Sequence, residues 1–135
     1  MVSGKIKEIL VYFVSVGLSI VILFFFIGST WIGFEAKTLC RDARRDYKEQ
    51  TCVRSLEMQL KDEGRGFRSR NDAVWALGQI GDSEALPTLE EFYTGEIPDR
   101  EPLDEMISQY ELEKAIKLLK GGTNITAFIW RDSIK

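Results

Sequence analysis

Twenty-six consecutive residues without a charge, Ile9 through Phe34, constrain this 135-residue chain more than any other feature. A hydrocarbon core needs about 20 apolar residues in a helix, so ILVYFVSVGLSIVILFFFIGSTWIGF predicts one membrane-spanning helix, tilted or with its ends in the interface. Tyr12 and Trp31 fall near opposite ends of the run, where amphipathic rings settle between water and lipid. A cleaved signal peptide is the competing reading, but its apolar region is typically only about 7–15 residues and closes on a small-x-small site. GSTWIGFEAK supplies no such site, and Lys37 and Thr38 before Cys40 depart from a lipoprotein signal. Residues 1–34 therefore read as a retained amino-terminal anchor.

Beyond the anchor, Ala36, Leu39, Cys40, Ala43 and Tyr47 keep helical spacing and predict a basic juxtamembrane helix or stalk over residues 35–51, either separate from the first helix or continuous with it. Lys37, Arg41, Arg44, Arg45 and Lys48 lie on its wet side, placed to meet anionic headgroups or simply to set topology. These five basic residues outnumber Lys5 and Lys7 on the other flank, and counting Lys and Arg puts the carboxyl-terminal domain in the cytoplasm. Cys40 and Cys52, the only two cysteines, pull the other way. On one unbroken helix they would stand about 18 Å apart, but DYKEQT between them is a plausible loop, and a chain reversal there would let them meet. A disulfide would place the domain outside the cytoplasm; two buried free thiols are the alternative.

Val53, Leu56 and Leu60 mark the next helix, which ends before Gly64 and Gly66. Residues 68–93 then read as two helices across a tight turn. Ala73, Val74, Leu77 and Ile80 share one helical stripe, and Leu86, Leu89, Phe92 and Tyr93 form the second. Gly81 suits a left-handed helix end, Asp82 can cap the next helix, and Pro87 comes early enough to be tolerated. Gly78, inside a helical turn, is better explained by a neighbouring helix passing close.

Led by Arg70, the stretch ALGQIGDSEALPTL resembles the HEAT-like repeat of the phycobilisome-lyase type, most closely over residues 70–90. The resemblance implies antiparallel helix pairs that stack into a solenoid. In most members it implies a protein-binding scaffold; in the branch that gives the repeat its name, it implies a bilin-attachment enzyme. None of the quoted positions carries reactive chemistry: Ala, Leu and Gly pack, and Asp82 caps.

TGEIPDREPLD, with Gly95, Pro98 and Pro102, reads as a longer loop. A further helix then carries Ile107, Tyr110, Leu112, Ala115, Ile116 and Leu119 on its apolar side and stops at Gly121-Gly122, with Ala115 and Leu119 repeating Ala73 and Leu77 at an offset of 42. The tail concentrates Ile125, Phe128, Ile129 and Trp130. It either folds back to cap the last unit or offers a contact to a partner or the bilayer.

The fold class is thus all-α: the anchor, the stalk, a short HEAT-like α-solenoid of about two helical-hairpin units over residues 52–122, and an apolar cap or tail over 123–135. Eleven acidic residues against Arg100 alone lie between Asp82 and Glu113, while residues 35–70 hold ten basic and seven acidic. That acidic exposed part disfavours nucleic acid. The chain has no histidine, so the usual general base near neutral pH and the commonest metal ligand are missing, and neither cofactor nor metal is expected. These features predict a non-catalytic single-pass membrane protein that binds another protein, as accessory subunit or adaptor of a membrane complex. Trp75, Phe67, Phe92, Tyr93 and Trp130 are the candidate contacts. A membrane-tethered assembly factor or chaperone is the alternative. A lyase-type enzyme acting on a tetrapyrrole-like cofactor would need Tyr110, Glu111 or Asp72 beside a cleft.

Overall fold

The computed structural model describes residues 3–134, and among these the regular elements are all helical. Helix α1 runs unbroken from Gly4 to Tyr47, 44 residues or about 66 Å, so the expected anchor and stalk are one rod. No proline or glycine pair interrupts it past Phe34, and Arg44 and Arg45 in its last turn complement the negative helix end. Lys48, in the left-handed region at φ 55°, then reverses the chain.

From residue 29 onward, one side of α1 is buried: Ser29, Gly33, Ala36, Cys40 and Ala43 succeed each other at steps of four and three. Small side chains at that spacing leave a shallow channel along the helix into which other segments pack closely. Helix α2 (Cys52–Lys61), capped by Thr51, fits Val53, Leu56 and Leu60 against this side and against α3 (Phe67–Ile80). A tyrosine–carboxylate bond fastens the far end of α1: the Tyr47 hydroxyl donates to Asp62 at 2.6 Å, while Arg65 pairs with Asp46 and lies over the Tyr47 ring.

α3 ends as the sequence predicts. Gly81 takes φ 69° and closes the helix through its N–H to the Leu77 carbonyl. Asp82 caps the next turn by accepting from the Glu84 N–H at 3.0 Å, although that turn, Ser83–Ala85, is a tight 3₁₀ turn leading into α4 (Leu86–Phe92). Pro87 sits in the opening turn of α4, where its missing N–H costs nothing. Gly78 is the point where α5 (Gln109–Leu119) crosses α3: a Cβ there would stand 2.9 Å from the Ala115 Cβ. Leu56, Leu60, Val74, Leu77, Leu89 and Leu112 fill the resulting core, each worth about 1.5–3 kcal/mol of transfer free energy.

Two expectations need correction. Tyr110 is not on the apolar side of α5 but 51 % exposed in its first turn, and Ile107, half-buried on the core, precedes the helix. The tail does fold back, but onto α1 rather than onto the last repeat unit. The short α6 (Ala127–Trp130) packs on Ala36 and Gly33, and Asn124 and Arg131 bond to the side chain and carbonyl of Gln79 at the end of α3.

Candidate functional site

The five aromatic residues expected as partner contacts divide sharply by burial. Trp130 is 4 % exposed, and its ring lies directly on Gly33. It is therefore a packing residue, removed from the contact surface by the tail's return to α1. Trp75, half-buried, touches both the domain core and the tail cluster and joins the two. Phe92 and Tyr93 pack partly on the core. Phe67 alone is exposed, at 36 %, with the Arg70 guanidinium 5.5 Å from its ring centre. Arg70 itself is buried, donating to the Leu60 carbonyl at 2.8 Å and lying 5.8 Å from the Phe92 ring, so it locks α2 to α3.

The more open surface is the loop between α4 and α5 with the first turn of α5, where Ile97, Leu103 and Tyr110 are 44 %, 42 % and 51 % exposed among the exposed carboxylates of Glu96, Asp99, Asp104 and Glu105. Despite two prolines and few apolar anchors, the loop is held by three polar side chains. Buried Asn71 donates to the carbonyls of Leu103 and Met106 and accepts from the Ser108 N–H at 2.8 Å. Glu101 accepts from the N–H of Gln109 and the hydroxyl of Ser108, each at 2.6 Å, and so places a carboxylate at the positive end of α5. Gln109 accepts from Thr94 N–H and donates to the Phe92 carbonyl, which fixes the exit of α4. Sequence reading missed this network, because an asparagine inside a helical stripe and a glutamate inside a loop look solvated until the chain returns to them.

Lys37, Arg41, Arg44, Arg45 and Lys48 are all exposed or half-exposed and, with Ser133 and Ile134 of the tail, line one groove beside α1. Arg41 and Arg45 share Asp42. The unbroken helix spreads these charges along its axis: Lys37 stands about 5 Å past Phe34 and Lys48 about 21 Å, so the first and last are farther apart than a Debye length of about 8 Å. Cys40 and Cys52 are brought together, Cα atoms 5.1 Å apart, and form a disulfide. The four residues from Lys48 to Thr51 supply the reversal that lets them meet.

The groups that a lyase would need are spread over two helices. Asp72 stands on the exposed side of α3, where partial desolvation first and the Glu35 carboxylate of α1 second push its carboxyl above the usual range, against Arg68. Tyr110 and Glu111 open α5 and are both engaged by Lys114, whose ammonium lies 5.0 Å from the Tyr110 ring and 3.2 Å from the Glu111 carboxylate. At the α1 end, the Tyr47 hydroxyl holds the Asp62 carboxyl low, and Arg65 does the same for Asp46. These are structural pairs, each explained by the turn that it fastens.

Residues 69–94 match the PBS lyase HEAT-like repeat. The matched span covers all but the first two residues of α3, the Asp82 turn and α4, which is the helix pair whose capping and close packing are described above. No curated protein matches the chain. No solved structure matches it either.

Proposed function

We propose that this chain is a non-catalytic, single-pass membrane protein whose HEAT-like domain holds another protein at the membrane, as an accessory subunit or adaptor of a membrane complex. The observation that carries the reading is the repeat match on α3 and α4, since HEAT-like repeats generally mediate protein–protein interaction. The anchor is α1, long and apolar enough to cross a bilayer. The contact surface is the α4–α5 loop, where apolar side chains stand among carboxylates on a support that Asn71, Glu101 and Gln109 keep in one shape. A partner with apolar residues ringed by Lys and Arg is its complement.

The pairing of Cys40 with Cys52 supports a domain on the oxidising, non-cytoplasmic side, opposite to the side favoured by counting Lys and Arg. Topology signals in the flanks are a bias, whereas a disulfide between the only two cysteines needs an oxidant.

Purification of the full-length protein in mild detergent, with thiols blocked at lysis, tests both statements. The expected result is a stoichiometric partner that is lost when Ile97→Ser and Leu103→Ser are combined, in a variant whose unfolding midpoint is unchanged, together with unreactive cysteines. A monomer without a partner removes the adaptor reading, and two reactive thiols restore the cytoplasmic side.

A further inference from the structure

The two most exposed large apolar side chains outside α1 belong to the tail: Phe128 at 72 % and Ile125 at 63 %. Their neighbour Trp130 is buried on Gly33, so the tail presents one side to α1 and leaves a second apolar side open. The level at which it docks decides what that open side meets. The Phe128 ring stacks on Phe25, centroids 6.5 Å apart and planes 20° off parallel. Phe25 lies well inside the charge-free run from Ile9 to Phe34.

The run is about 39 Å long as a helix, about 9 Å more than the hydrocarbon thickness, and so can be placed in the bilayer in several registers. If the hydrocarbon begins at Ile9, Phe25 lies about 6 Å within its far boundary; if it ends at Phe34, Phe25 lies about 14 Å within. Every register that keeps the flanking charges Glu8 and Glu35 in water therefore puts the partner ring of Phe128 at hydrocarbon depth. The first register is the one compatible with the tail's own backbone. It leaves Thr30–Phe34 and α6 side by side at headgroup level, where peptide groups find water, and sends only side chains inward.

We infer that the tail is a second membrane-binding element: Phe128 and Ile125 insert into the lipid beside α1, so that the domain sits in the interface at a fixed depth and the spanning segment is about residues 9–29. This rests on α1 crossing the bilayer, as proposed above. The occupant of the exposed side is lipid because that side is continuous with the lipid-facing surface of α1, at Phe25 and on to Phe26 and Ile27, the latter two 48 % and 52 % exposed. It also explains why the most exposed large apolar residues of the domain, Ile125 and Phe128, are gathered on and just before a helix of four residues that contributes only Ala127 and Trp130 to the buried core.

The test is depth-dependent quenching in the full-length protein, with the native disulfide intact. Single cysteines at Phe128→Cys and Ile125→Cys are labelled with an environment-sensitive fluorophore and reconstituted in vesicles whose acyl chains carry bromine. Phe13→Cys reports the spanning segment, and Met58→Cys, on α2, reports the domain surface. The expected result is loss of most emission at positions 128, 125 and 13, and none at 58. Quenching at 13 without quenching at 128 and 125 overturns the inference and leaves the anchor intact. No quenching at 13 removes the anchor reading, and the inference with it. A blue-shifted but unquenched label at 128 means that a protein surface, a second copy of this chain, covers the tail, which also overturns it.

Discussion

An alanine at position 33 would put its methyl group into the Trp130 ring, against Cγ and at 2.6 and 2.8 Å from Cβ and Cδ1. Carbon atoms in contact need about 3.5 Å or more, so the tail would have to withdraw by about 1 Å, and a gap of that size forfeits a quarter to a half of the dispersion at each affected contact. Overpacking of this kind costs about 1–3 kcal/mol. The gain in helix propensity from glycine to alanine returns at most about 1 kcal/mol. The tail cannot lose more than its docking is worth, and full exposure of a tryptophan of about 200 Å² sets that ceiling near 5 kcal/mol. Gly28→Ala is the internal control, since nothing lies within 4 Å of a Cβ there and only the propensity gain remains. The two substitutions share a helix and a chemistry and should differ in sign. Amide exchange across Ala127–Arg131 in detergent or nanodiscs reads the undocked population directly. Relative to Gly28→Ala, Gly33→Ala should exchange there about 5- to 150-fold faster, the equivalent of about 1–3 kcal/mol. Equal exchange in the two variants would refute the claim that glycine is needed for the tail to lie on α1.

Three further outcomes are expected. Asn71→Ala strips the bonds to Leu103, Met106 and Ser108 and should lower stability by about 2 kcal/mol in urea unfolding, less than a sealed core would lose because the loop can take up water. Asp72→Asn should raise the unfolding midpoint at pH 7. The folded-state carboxyl titrates above the ordinary aspartate value of 3.8, so its stabilising contribution is present below that value and is lost as pH rises through the folded pKa. The gain should vanish below about pH 4, and a gain that persists there would assign it to something other than the charge facing Glu35. Reduction of Cys40–Cys52 reopens a loop of 12 residues and should cost about 3 kcal/mol on the chain-entropy relation, measured by urea unfolding with and without reductant.

The features legible in the sequence were those that act over one or two helical turns. Ala73, Val74, Leu77 and Ile80 announce their stripe, Gly81 and Asp82 their caps, and Gly78 its close neighbour, because each signal is complete within a few residues. The channel on α1 was only half legible. Ala36, Cys40 and Ala43 stood out among charged residues, but Ser29 and Gly33 continue the same spacing inside an apolar run where every position looks alike. Trp130 was misread for a related reason: an aromatic residue near a chain end looks like a contact, and its burial depends on a glycine 97 positions away. Asn71, Glu101 and Gln109 act across 7 to 37 residues and had no periodic signal to betray them. The amphipathic pattern placed Tyr110 inside because it took the helix to begin earlier than Ser108 caps it.

The uninterrupted α1 has a mechanical consequence. With no hinge between the apolar run and the domain, the 19 residues from Ser29 to Tyr47 act as a lever arm of about 27 Å. A lean of about 20°, ordinary for a single helix in a bilayer, would swing its tip sideways by about 9 Å. If α1 spans the bilayer as proposed, a partner held at that end would be carried by the posture of the helix in the lipid rather than left to wander on a tether. On the proposed reading of α1 as a membrane anchor, bilayer thickness, which would set that posture, becomes a variable that a bound partner would feel.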